Sequence, residues 1–236
     1  MDNTSLPSTQ STQSVMKRNA SYLGEYKRSE KAAIAILSIL YLVGISGFIF
    51  KIHPDFAKLT PINLIISLIV VLIFHPQWNW KMVLFCIICP VIGFVVEMKG
   101  VETGQIFGNY HYGETLGFKF KDTPLSIGIN WLLIAYCSAV LVSHFTAEKG
   151  SIILKALLAS ALMVSLDILI EPIAMKTDMW SWQDDTIPMK NYYGWFLTAF
   201  PLQLLFFILN KSVKNKVDVA LLIAQFLFFW ILSYKF

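Results

Sequence analysis

Residues 152–174 read IILKALLASALMVSLDILIEPIA, an apolar run that ends on two carboxylates, Asp167 and Glu171. A bilayer core takes about 20 mostly apolar residues per helix, so the run predicts a membrane-spanning helix. Like charges four residues apart repel on a helix, and an ionised carboxylate in lipid costs at least a few kcal/mol. A chain that carries such a pair there calls for a reason. Six further runs of the same kind lie at 32–50, 59–75, 82–98, 126–145, 194–210 and 217–234. The expected fold is therefore all-α, a polytopic membrane bundle of about seven helices. Pro61 suits the first turn of its helix. Pro90 predicts a kink, and Pro172 disfavours helical backbone at Glu171, placing that residue near a helix end.

Composition agrees with this reading. Of 236 residues 56% are hydrophobic and 14% charged, against roughly 25% charge in soluble domains, and the mean hydropathy is +0.60. The net charge of +4 is diffuse, and nucleic acid is not an expected partner. Cys86 and Cys89 have the spacing of half a zinc site, but with Cys137 they make up all three cysteines and sit in apolar surroundings, where thiols are core residues. The first 14 residues are rich in Ser, Thr and Gln, and no apolar run precedes residue 32. Residues 1–30 thus read as a disordered polar and basic cytoplasmic tail without a cleavable signal peptide, and 31–236 as one integral-membrane helical domain.

Eleven of the 19 Lys and Arg fall on the tail side of the membrane when the tail is placed in the cytoplasm, which favours an N-in orientation. Whichever side that is, the long loops 99–125 and 175–193 share one membrane face. Glu97, Glu102, His111, Asp167 and Glu171 gather toward that face, with Asn63, Asn130, Asn191, Tyr110, Tyr112, Trp131, Trp180 and Trp182. The opposite face has short, bland loops such as TAEKG, residues 146–150.

Three constellations stand out there. EMKGVETGQIFGNYHYGETLG, residues 97–117, carries five glycines and reads as a loop folding back toward the bundle. Glu97 and Glu102 are either functional carboxylates or interfacial ones reaching water. Asp167 and Glu171 share a helical face. Burial beside a second carboxylate favours the protonated acid, so the pair is a candidate Brønsted acid; the plainer alternative for Asp167 is a structural hydrogen bond to Asn or Tyr. The aromatic set Trp131, Trp180, Trp182, Tyr192, Tyr193 and Trp195 fits an ordinary interfacial belt, or ring faces stabilising a carbocation.

Absent motifs narrow the chemistry. His53, His75, His111 and His144 form no histidine box, and GxGxxG, P-loop, GxSxG and paired Asp-rich motifs are missing. What remains is acid chemistry on an apolar substrate, with no cofactor and no metal expected.

The runs ETGQIFGNYHYGETLG, DILIEPIAMKTDMWSW and NYYGWF resemble the membrane carotenoid biosynthesis protein family, from about residue 35 to the C-terminus. Its members include carotenoid 1,2-hydratases of the bisanhydrobacterioruberin and γ-carotene type. The resemblance implies addition of water across the terminal C1=C2 bond of an acyclic carotenoid end group. Protonation there gives a tertiary cation that water captures, so the protein needs an acid, a cation-tolerant pocket and one admitted water. Asp167 is the expected proton donor, with Glu171 holding it protonated or positioning water. Glu97 is the next candidate and Glu102 a weaker one. Trp131, Trp180 and Trp182 are the expected cation stabilisers. A carotenoid cyclase would use the same protonation and quench the cation with an internal double bond. A non-enzymatic carotenoid-binding or transport protein would leave the substrate unchanged. The expected partners are an apolar carotenoid, the lipid bilayer and other carotenoid enzymes in a complex. The expected location is the cell membrane of a prokaryote.

Overall fold

The computed structural model describes residues 9–210 and 213–236. Seven helices carry the chain: α1 Thr9–Ile49, α2 Thr60–Ile73, α3 Trp80–Thr103, α4 Ser126–Phe145, α5 Ile152–Lys176, α6 Met189–Leu209 and α7 Lys216–Ser233. All seven are long and apolar enough to cross a membrane, α1 over Ser29–Ile49 and α2 with the preceding 3-10 turn from Phe56. The protein is thus a mostly all-α, multi-pass membrane bundle. Residues 1–8 of the expected tail lie outside the described residues. From Thr9 the backbone is helical through the polar segment where composition predicts disorder; no proline interrupts it there.

Local chemistry explains the helix ends. Asn79 Oδ1 accepts the backbone N–H of Lys81 and Met82 to cap α3, and Ser151 caps α5 through Leu154. Pro61 occupies the first turn of α2 as expected. Helix α3 runs past the predicted end to Thr103, which leaves Glu97 well inside it. It ends at Gly104, whose φ of +63° is the left-handed C-cap that glycine accepts without strain. The expectation that Pro172 brings Glu171 to a helix end is corrected: α5 continues through Pro172 to Lys176. Proline removes one N–H from the helical ladder but does not forbid helix around it, and membrane helices tolerate the loss.

Helix α4 is the central element, buried along nearly its whole length. Around it α5 packs on α6 and α1 on α7. The chain alternates direction, so the α1–α2, α3–α4 and α5–α6 connections lie at one end. The long connections of that end meet. Strand β1 (Tyr110–Tyr112) pairs antiparallel with β4 (Trp180–Trp182), in the register Tyr110–Trp182, His111–Ser181 and Tyr112–Trp180. A smaller hairpin joins β2 (Lys119–Phe120) to β3 (Thr123–Pro124). Asn109 and Gln183 lock one end of the β1–β4 ribbon, and Asp178 accepts the Glu114 N–H at the other. The loop therefore folds back on the bundle. Gly108, at φ +120°, sits where a Cβ would strike Pro188 and Trp182.

Candidate active site

Alternation along a strand sends every second side chain to the same face. On β1 this aims Tyr110 and Tyr112 into the bundle and leaves His111 exposed; on β4 it buries Trp180 and Trp182. Beneath them α3 and α5 present their glutamates.

Glu97, 4% exposed, accepts three hydrogen bonds. Tyr110 Oη and Tyr112 Oη donate to Oε2 at 2.6 and 2.8 Å, and Trp131 Nε1 donates to Oε1 at 3.0 Å. Glu171, 1% exposed, also accepts three. Trp180 Nε1 and Trp182 Nε1 donate to Oε2 at 2.9 and 2.7 Å, and Asn191 Nδ2 donates to Oε1 at 2.7 Å. The two cages are joined because the strands are paired: Tyr110 lies against Trp182 at 5.0 Å between ring centroids, and Tyr112 against Trp180 at 6.1 Å. All six donors are neutral. Tryptophan N–H can only donate, so the indoles hold the carboxyl oxygens in place without adding charge. Burial, and then the adjacent Glu97 carboxylate, push the Tyr110 and Tyr112 phenols above their ordinary range. Both therefore remain O–H donors at neutral pH.

Glu97 and Glu171 border a pocket of about 20 Å³, shared with Tyr110, Tyr112, Trp180, Trp182, Trp195 and Asn191. Roughly 10–15 Å³ of such space holds one water. Ile127, Asn130 and Trp180 also line a second, mostly apolar cavity of about 230 Å³ between α1, α2, α4 and α7. A polar pocket of one-water size thus shares a wall, made of Ile127, Asn130 and Trp180, with an apolar chamber. No lysine, arginine or histidine is among the groups lining either space, and the described residues contain no cluster fit to hold a metal ion.

The remaining expected residues divide. Asp167 is fully buried, but it stands behind Glu171 and does not border the pocket. Asn191 Nδ2 donates to its Oδ2 at 2.9 Å as well as to Glu171, and its Oδ1 has no hydrogen-bond partner. Asn191 thus bridges two carboxyls while also lining the pocket. Trp131 is buried behind Trp195, ring on ring at 4.3 Å and 17°, so the pocket wall is Trp195 and not Trp131. Glu102 is exposed and pairs with Lys99, a surface contact of small energetic worth. Asn63 lines the large cavity and accepts the Ser67 hydroxyl, while Tyr193 is exposed. The pocket also uses Phe107 and Ile127, which carry no polar signal in the sequence. The ribbon did have one: the alternations Tyr-His-Tyr and Trp-Ser-Trp are strand-like.

Comparison with known proteins bears on what such a pocket serves. Over 118 residues the chain is 29% identical to the bisanhydrobacterioruberin hydratase of Haloarcula japonica, a match covering 47% of this chain and 40% of that protein. The chain therefore spans less than half the length of that relative. No solved structure matches. The profile of the carotenoid biosynthesis proteins matches residues 59–235, from the turn before α2 to the end of α7 and including both caged glutamates. On that match, the chain belongs to the carotenoid biosynthesis protein family.

Proposed function

We propose that this protein is a carotenoid hydratase that adds water across the terminal C1=C2 bond of an acyclic end group. Membership of the family and the resemblance to a hydratase support the carotenoid role. The observation that carries the reaction is the pair of glutamates facing one pocket of single-water size at the head of an apolar cavity. In this reading Glu171 is the proton donor in place of Asp167, because Glu171 borders the pocket and Asp167 does not. Asp167 backs it through the shared Asn191 amide, and two carboxyls without a nearby cation hold a proton between them. The proton goes to C2 and the π electrons form the new C–H bond, leaving a tertiary cation at C1. The faces of Trp180, Trp182 and Trp195 stabilise that cation. The oxygen of the pocket water bonds to C1 and its proton passes to the Glu97 carboxylate; return of that proton to Glu171 through water in the pocket both glutamates border restores the two groups, so the addition is neutral overall. No redox step is involved. The protein sits in the cell membrane with its N-terminus in the cytoplasm, and residues 31–236 form one domain.

Expression in a lycopene-accumulating cell followed by product mass analysis tests the reading. A product heavier by one water is expected. An isomer of unchanged mass would make the protein a cyclase, and unaltered lycopene that co-purifies with the protein would make it a binding protein.

A further inference from the structure

The reaction pocket is closed on its water side by the β1–β4 ribbon, whose Tyr110, Tyr112, Trp180 and Trp182 plug the end of the bundle. The larger cavity faces the other way. Its wall is formed by the last turns of α1 and the first turns of α2, with Tyr41, Asn130 and Phe228 behind them. Four lining residues are themselves open on the helix exterior: Val43 at 53%, Leu59 at 51%, Ile62 at 54% and Ile66 at 36%. On the outside of a membrane helix that exterior is lipid. Leu40, the deepest α1 residue of the wall, lies nine residues before the helix end at Ile49. At 1.5 Å per residue that is about 14 Å, close to half of a 30 Å hydrocarbon core. The opening thus spans the leaflet on the ribbon side and leads inward to Ile127, Asn130 and Trp180, the residues common to both cavities.

We propose that the gap between α1 and α2 is a lateral portal through which the isoprenoid end of a long polyene enters from the ribbon-side leaflet, while the rest of the chain stays in lipid. This rests on the reading of the pocket as a carotenoid end-group site. The cavity commits to an end and not to a whole carotenoid, because about 230 Å³ is below the roughly 300 Å³ at which drug-sized ligand sites begin. Glycine supports the portal. At Gly44 a Cβ would stand 3.0 Å from the Phe228 ring, and at Gly47 it would collide with Phe56, so both positions let aromatic walls close on α1. Val43 and Ile66, with side chains on the rim, select what passes.

The test uses full-length protein in lycopene-containing membranes, with Val43→Trp and Ile66→Trp at the portal. Ile168→Trp, at an equally lipid-exposed position on α5 away from the cavity, is the control. Lycopene bound per purified protein is the first readout. Hydration of geranylacetone, a short isoprenoid with the same end group, is the second. The portal variants should lose bound lycopene by at least about tenfold, whereas Ile168→Trp should keep its lycopene and hydrate geranylacetone within about twofold of the unsubstituted protein, since an added ring closes a mouth only where it stands at one. Lycopene occupancy unchanged in both portal variants, reduced equally in the control, or absent from the unsubstituted protein would overturn the portal. Normal, portal-sensitive occupancy with no hydration of either probe would leave the portal standing and overturn the hydratase reading.

Discussion

Carboxyl groups are buried at both ends of this bundle, and they are treated differently. At the ribbon end Glu97 and Glu171 each accept three hydrogen bonds from neutral donors and face a pocket. At the opposite end Asp218, in the first turn of α7, is fully buried with no well-aligned hydrogen bond to either oxygen and borders neither cavity. It lies beside Tyr136, whose hydroxyl is 2.6 Å from His75 Nδ1. A helix N-terminus is a natural place for an acid, and that suffices for Asp218. Burial alone therefore does not mark a reactive carboxyl. In the proposed reaction it is the convergence of a fixed carboxyl, a water-sized space and an apolar approach that does.

The strongest way to break this contrast is to remove the acids. Glu171→Gln and Glu97→Gln keep side-chain shape but cannot transfer the proton, and each should lower the hydration rate by about 10²–10⁴-fold. Retained turnover in both would end the acid mechanism. Removing single donors should do less. Tyr110→Phe or Tyr112→Phe leaves Glu97 one hydrogen bond short, worth about 1.5–3 kcal/mol for a charged acceptor, or roughly 10–100-fold in rate. Titration sharpens the point further. Because the Tyr110 and Tyr112 phenols are raised, the protonated form is the one the fold favours. Their contribution to stability is then whole below the ordinary phenol value of about 10 and is lost as pH rises above it. Phenolate absorbance should show those two tyrosines titrating above the ordinary phenol range, together with loss of the ribbon. The smallest effect belongs to the opposite end. Asp218→Asn should change the rate less than about threefold, since distant sites act independently, and should register in thermal unfolding instead. A larger loss in Asp218→Asn than in Glu171→Gln would invert the comparison.

The seven spans were legible in the sequence because lipid imposes one rule on every helix, a long apolar run, and residues 152–174 obey it as plainly as any. Glu97 and Glu171 were legible as anomalies under the same rule. What lay beyond reach was anything set by pairing at a distance. Tyr-His-Tyr and Trp-Ser-Trp are alternating on their own, but only their mutual register makes His111 point outward and joins the two cages. The choice between Asp167 and Glu171 was equally hidden. Positions four apart are 40° apart around a helix, enough for one carboxyl to border the pocket while the other stands behind it. Trp131 and Trp195 exchange roles for a similar reason, one ring masking the other. The blandness expected of the far end held for its loops but not for its interior, where His75 and Asp218 stand singly at the ends of apolar runs and meet only through Tyr136, a pairing at a distance.

In the proposed reaction a proton from the glutamate pocket and the oxygen of a single water are added to an end-group alkene. Purified protein supplied with lycopene in water carrying heavy oxygen tests it most directly, with Glu171→Gln alongside. A tertiary alcohol bearing the heavy oxygen at C1 is expected from the unsubstituted protein, reduced to trace in the variant. An unlabelled product, an isomer without oxygen, or equal labelling by Glu171→Gln would contradict it.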